Sequence, residues 1–208
     1  MKVLLLNGSP HEKGCTHTAL TEIASTLERH DIQSEIFWIG NDPVAGCIGC
    51  GACAATGRCF RQDGVNEFVE RAREADGFIF GSPVHYASAS GAIASFLDRV
   101  FMCGGRQGVF VRKPAASIVS ARRAGTTATL DQLNRYIAFH HMPMVPSLYW
   151  NMVYGSNPDE VRCDEEGMQI MRMLGENMAW MMRAFALARE AGIEEPQYEP
   201  KIKTPKNR

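Results

Sequence analysis

Short, uninterrupted apolar runs alternate with segments of helical periodicity along this 208-residue chain, and that alternation restricts the folds open to it. Val3–Leu6 is apolar at every position, as expected of a strand buried on both faces. Thr18–Arg29 then sets Leu20, Ile23, Ala24 and Leu27 on one helical face. Ser34–Ile39 reads as a second strand, Val65–Ala75 as a helix, and Gly77–Gly81 as a third strand. Gly91–Met102 reads as a helix, Ala115–Ser120 as a fourth strand and Thr127–Phe139 as a helix. A fifth strand is expected within Pro143–Trp150, and a long last helix over Glu165–Glu190. The stripe Met171, Leu174, Met178, Met181/Met182 and Phe185 on that helix reads as core packing. Five such strands joined through helices predict an α/β fold, a doubly wound five-stranded parallel sheet with helices on both faces.

The length suits one domain, expected over residues 1–192 with an elaborated loop at 46–60, followed by a C-terminal tail at 193–208. An apolar content of 45% supports a full core without disulfide staples. A net charge of −1 lacks the basic excess that a nucleic-acid binder needs to neutralise phosphates. The first apolar run ends at Asn7-Gly8-Ser9-Pro10, too early for a signal peptide, and no stretch reaches membrane-spanning length. Seven cysteines in such a chain fit a reducing cytoplasm, where clustered thiols read as metal-binding or catalytic.

In doubly wound sheets ligands sit beyond the carboxyl ends of the strands, where strand order reverses. The loop after the first strand, Asn7 to Thr18, runs from a strand into a helix. Its backbone amides and the hydroxyls of Ser9, Thr16 and Thr18, with His17, suit a phosphate monoester. It is not a Walker A loop, because five residues rather than four lie between Gly8 and Gly14 and Cys15-Thr16 follows. It also lacks a G-x-G-x-x-G fingerprint, and none of the seven cysteines has an arginine six residues on, as a low-molecular-weight phosphatase would. The competing reading is an ordinary strand–helix turn with polar caps. After the third strand, Gly81 to Gly91 presents Pro83, Val84, His85 and Tyr86, a wall suited to a planar heteroaromatic ligand. After the fourth, Ser120 to Thr127 combines small residues with Arg122 and Arg123, which either meet a phosphate or nucleotide or are simply solvated.

Between the second strand and the next helix, Cys47, Cys50, Cys53 and Cys59 are spaced C-x2-C-x2-C-x5-C. Bacterial ferredoxins hold iron–sulfur clusters with a similarly compact run, C-x2-C-x2-C-x3-C-P, whereas structural zinc sites tend to split their ligands into separated pairs. A turn-rich loop whose glycines tolerate buried thiols is the other reading.

Together, Asn7-Gly8-Ser9-Pro10 with Cys15-Thr16-His17-Thr18, Gly81–Gly91 with Phe96-Leu97-Asp98-Arg99, and Arg122–Thr127 resemble the flavodoxin-like NADPH-dependent FMN reductase family. Within it, the cysteine run looks like that of the iron–sulfur flavoproteins. The resemblance covers nearly the whole chain and implies a flavodoxin-like fold and an FMN-dependent oxidoreductase. Ser9, His11, Thr16, His17 and Thr18 would then surround the FMN phosphate. Pro83, Val84, His85 and Tyr86 would hold the isoalloxazine ring, and Ser120 with Gly125 would close its other edge. Cys47, Cys50, Cys53 and Cys59 would ligate a 4Fe–4S cluster. The resemblance also implies NAD(P)H or a redox protein as donor, a flavin, quinone or other acceptor, and a homodimer or homotetramer. Two other readings stand beside the reductase, an iron–sulfur electron carrier and a flavin-binding redox sensor with little turnover. No catalytic residue is assigned, since hydride transfer between nicotinamide and flavin needs no acid–base triad; His85, His140 and His141 are the titratable candidates.

Overall fold

The computed structural model describes residues 1–197 together with Glu199, Ile202 and Thr204. Its elements run in chain order β1 (Lys2–Asn7), α1 (Cys15–Glu28), β2 (Gln33–Trp38), α2 (Cys53–Thr56), α3 (Gly64–Glu74), β3 (Gly77–His85) and β4 (Ser88–Ala89). Then follow α4 (Gly91–Cys103), β5 (Ala115–Ala121), α5 (Thr126–Phe139), β6 (Met152–Tyr154), α6 (Pro158–Cys163) and α7 (Glu165–Glu190). The parallel strands lie in the order β2-β1-β3-β5-β6, with β4 folded back on β3 in antiparallel pairing. The parallel sheet, its first four strands, the helices between them and the long last helix lie where the sequence predicts to within a few residues, β3 excepted at its end.

Each strand sends alternate side chains to opposite faces, which builds two separate cores. Leu4, Leu6, Phe78 and Phe80 pack with Phe37, Phe68, Phe96, Phe101 and Phe110 beneath α3, α4 and α5. Val3, Leu5, Ile79 and Ile118 pack with Leu20, Ile23, Met171, Leu174 and Met178 beneath α1 and α7. The methionine stripe is therefore core, and its flexible side chains fill the space between α7 and the sheet. Close approach of α1 and α7 depends on Gly175, where a Cβ would come within 2.7 Å of Thr26.

The fifth strand does not lie where the apolar run places it. Pairing with β5 begins at Met144, with Ala115 N–H donating to Pro143 O and Val145 N–H to Ala115 O, both at 2.9 Å. Pro146 has no N–H to continue the ladder. The chain loops out through Ser147–Trp150 and returns at Asn151, whose carbonyl accepts from Val119 N–H at 3.0 Å. Only then does β6 pair with Val119–Ala121. The tail expected at 193–208 falls partly outside the described residues; Ile193–Gln197 form no helix or strand, and Arg112 bonds both Glu195 and the Pro196 carbonyl.

Candidate functional site

Strand order reverses at β1, which has β2 on one side and β3 on the other, so the loops after β1, β3 and β5 meet at one edge. In the first loop, wholly buried Asn7 is the organiser. Its Oδ1 accepts from Ser9 N–H at 3.1 Å and its Nδ2 donates to Glu12 O at 2.9 Å. Ser9 Oγ accepts from His11 N–H at 3.1 Å, and Trp38 Nε1 donates to Ser9 O at 2.8 Å. This turn delivers the chain to α1, whose first turn no side chain caps. Thr18 N–H to Gly14 O, at 3.0 Å, is where helical bonding starts, leaving the amides ahead of it directed out of the helix end. A helix end of that kind favours an anion.

The five residues expected at a phosphate divide into two groups. His11 is exposed and His17 half-buried, with burial and then the Lys13 charge lowering the His17 pKa; Ser9 is buried within the turn. Thr16 and Thr18 each have a hydroxyl partner within the protein. Thr16 Oγ1 lies 2.9 Å from Ser120 Oγ, and Thr18 Oγ1 donates to Gly14 O at 3.2 Å. The Thr16–Ser120 pair ties the start of α1 to the end of β5.

β3 runs four residues beyond the predicted strand and turns back at Tyr86 and Ala87, both with positive φ (51° and 58°). Two successive non-glycine residues in that region are strained, and such turns persist where surrounding bonds over-determine them. Here Gln132 Oε1 accepts from Ser88 Oγ at 2.7 Å and from Ala89 N–H at 2.9 Å. Ser90 Oγ donates to Gly8 O at 2.8 Å and caps α4 by accepting from Ile93 N–H. Ser82 Oγ accepts from Ser90 N–H at 3.1 Å, and Gly8 N–H donates to Gly81 O at 2.8 Å. The first two loops are thus fastened together. Pro83 and Val84 are half-buried at their junction, His85 is exposed, and the Tyr86 ring stands wholly in solvent. Gly125 (φ 94°) brings the third loop against Ala87, while Arg122 and Arg123 are exposed.

The cysteine segment forms a second feature. Cys47, Cys50, Cys53 and Cys59 line one small cavity of about 50 Å³, with Arg61, Arg99, Arg106 and Cys103 also on its wall. Cys47 and Cys50 are exposed; Cys53 is buried and donates to Met102 O at 3.6 Å. Among the described residues no three His, Cys, Asp or Glu side chains converge where a single ion could sit. A four-iron cluster takes one thiolate sulfur at each iron, and the four cysteines that line this cavity are donors of that type. The donor chemistry therefore fits the cluster. Arg99 donates to Cys59 Sγ from Nε at 3.4 Å and from Nη2 at 3.2 Å. Burial works against its charge, but Asp63 and Cys59 outweigh burial and leave its pKa raised. Burial pushes the Cys103 thiol up to about 12, with Cys53 and Cys59 adding to it.

Trp38 and Gln132 are contributors that sequence reasoning passed over, and Asn7, Arg99 and Cys103 are ones to which it gave no role at the site. Arg99 carries the one detectable signal, a cation among the apolar positions of a helix. Cys15 bonds Gly155 O at 3.6 Å, away from the cysteine cavity.

The sequence profile of the family described as NADPH-dependent FMN reductase matches residues 1–157. An iron–sulfur flavoprotein of Methanocaldococcus jannaschii is 28% identical over 191 residues, which span 88% of this chain and 98% of that protein. Among solved structures, RosB with bound 8-demethyl-8-formylriboflavin-5'-phosphate aligns over 100% of this chain and 92% of its own, with TM-score 0.71 at 15% identity. A flavodoxin from the domain Archaea aligns over 88% of this chain and 99% of its own, with TM-score 0.60 at 12% identity. The structural likenesses establish the flavodoxin-like fold. With the profile covering both the first loop and the loops after β3 and β5, the chain belongs to the NADPH-dependent FMN reductase family of flavoprotein oxidoreductases.

Proposed function

We propose that this protein is an FMN-dependent oxidoreductase that takes electrons from NAD(P)H or a redox protein and passes them to a flavin, quinone or other acceptor. The observation that carries this reading is the uncapped start of α1, set beside the Asn7–Ser9 turn at the β1 switch point. The amides there, with Ser9, His11 and His17, would take the phosphate, for which the helix end supplies complementary charge. The Thr16–Ser120 hydroxyl pair would hold that loop against the β5 loop. Pro83, Val84, His85 and Tyr86 would form one wall for the isoalloxazine ring, and Gly125 permits the close approach of the opposite edge. Bound FMN would supply two-electron exchange with nicotinamide and one-electron exchange with other partners. The chain would act as a single domain over residues 1–192 in the cytoplasm, as a homodimer or homotetramer.

The second half of the reading is a 4Fe–4S cluster held by Cys47, Cys50, Cys53 and Cys59. The shared cavity supports it, as does the name of the Methanocaldococcus relative. The arginines on that wall would offset the negative charge of four thiolate ligands. Purification without oxygen, followed by absorbance, iron and acid-labile sulfide, tests both halves. Flavin bands with stoichiometric iron and sulfide are expected; flavin alone would leave a simple FMN oxidoreductase, and neither would sink the proposal. Rapid bleaching of the bound flavin by NADPH or NADH is expected of the enzyme, and slow bleaching would favour the sensor.

A further inference from the structure

We infer that Arg99 is the positioning residue of the cysteine cavity, holding Cys59 on its wall and raising the electron affinity of the cluster bound there. The inference rests on the reading that the cavity takes an iron–sulfur cluster.

Arg99 lies on α4, is 1% exposed, and heads the largest fully buried side chains of the molecule. Its guanidinium reaches both ends of the cysteine segment at once. Nη1 donates to Ala45 O at 3.3 Å, just before Cys47, and Nε and Nη2 donate to Cys59 Sγ. Beyond Cys59, Nη1 and Nη2 meet the two Asp63 oxygens at 2.5 and 2.8 Å. One side chain therefore spans the loop and anchors it to α4, so the cavity is framed by the rigid part of the fold.

Burying a guanidinium costs several kcal/mol unless it is paired. Asp63 alone supplies a two-pronged partner, yet two N–H groups are directed at one sulfur. A neutral thiol is a weak acceptor, whereas a thiolate ligand is a strong one. Two donors aimed at one sulfur are the geometry that a cluster-bound Cys59 would use. Hydrogen bonds to ligand sulfur and a nearby positive charge favour the reduced, more negative cluster. Asp63 opposes this by offsetting the charge of Arg99, but its side chain is 40% exposed and partly screened by solvent.

The test uses the full chain loaded anaerobically with iron and sulfide, comparing wild type with Arg99→Lys, Arg99→Met and Asp63→Asn. Iron and sulfide per chain are measured, together with the cluster midpoint potential followed by electron paramagnetic resonance. Arg99→Lys is expected to retain the cluster at a lower potential, and Arg99→Met to retain several-fold less of it. Asp63→Asn keeps a side chain able to cap α3 and removes the counter-charge, so the potential should rise. A merely structural prop would not move the potential in opposite directions in the two variants. Unchanged potentials in Arg99→Lys and Asp63→Asn, with the cluster intact, would overturn the inference even if Arg99→Met failed to fold. Failure of the wild type itself to take up iron and sulfide would overturn the cluster reading first, and the inference with it.

Discussion

Gly125 lies so close to Ala87 that a Cβ on the glycine would sit 2.6 Å from the Ala87 Cα. Two of the three loops at the sheet edge are thereby locked, because Ala87 is half of the strained turn and Gly125 starts α5 at φ 94°. Gly125→Ala meets both a forbidden backbone region and a backbone clash. We expect it to lose roughly 1–3 kcal/mol of stability in a urea titration and to bind FMN more weakly. Unchanged stability and affinity would mean that this contact does not order the wall.

Thr16 and Ser120 join α1 to β5 through buried hydroxyls 2.9 Å apart. Thr16→Val keeps the shape but strands the Ser120 hydroxyl, at a cost of about 1–3 kcal/mol. Adding Ser120→Ala should cost less than it does alone, because the stranded group is then gone. Denaturation of the single and double variants measures that coupling, and simple additivity would count against the pair acting as a unit.

Trp38 reaches from β2 to the Ser9 carbonyl at 2.8 Å and steadies the turn proposed to carry phosphate. Trp38→Phe removes that bond while keeping an aromatic ring. A loss of about 1 kcal/mol corresponds to roughly fivefold weaker FMN binding. Fluorescence titration of the apoprotein with FMN reads this directly, and an unaltered Kd would detach Trp38 from the site.

His140 stacks on Phe101 at 4.5 Å, and burial, with His141 beside it, lowers its pKa from 6.5 to about 4. The unfolded chain therefore binds more protons than the folded one between these values, so stability rises with pH there. The contribution is fully present above about pH 6.5 and is lost as pH falls toward about 4. Given the partial exposure of the ring, the loss should be on the order of 1 kcal/mol. His140→Phe should remove that part of the acid slope in denaturation curves recorded across the range. An identical slope would place the acid sensitivity elsewhere.

Most of the fold was legible because it rests on local periodicity. Val3–Leu6 and Phe78–Phe80 are apolar at every position since both sheet faces are covered, and the Met171–Met182 stripe repeats at the spacing of one helical face. The fifth strand departs from its apolar run because its ladder is interrupted. Pro146 stops the pairing begun at Met144, and the chain resumes it at Met152 only after looping out. The turn at Tyr86–Ala87 gave no warning either, since neither residue favours positive φ.

At the candidate site, the sequence by itself determined which loops end at the carboxyl edge and which four thiols share a segment. It did so because residue type and chain order are local facts. Tertiary structure decided what each group spends its bonds on. Thr16 is matched to Ser120 from 104 residues away, and Arg99 to Cys59 and Asp63 across 40 and 36 residues. Buried polar groups must find partners wherever the fold brings them. Those partners are set by how the sheet and its helices stack, which no local pattern in the chain encodes.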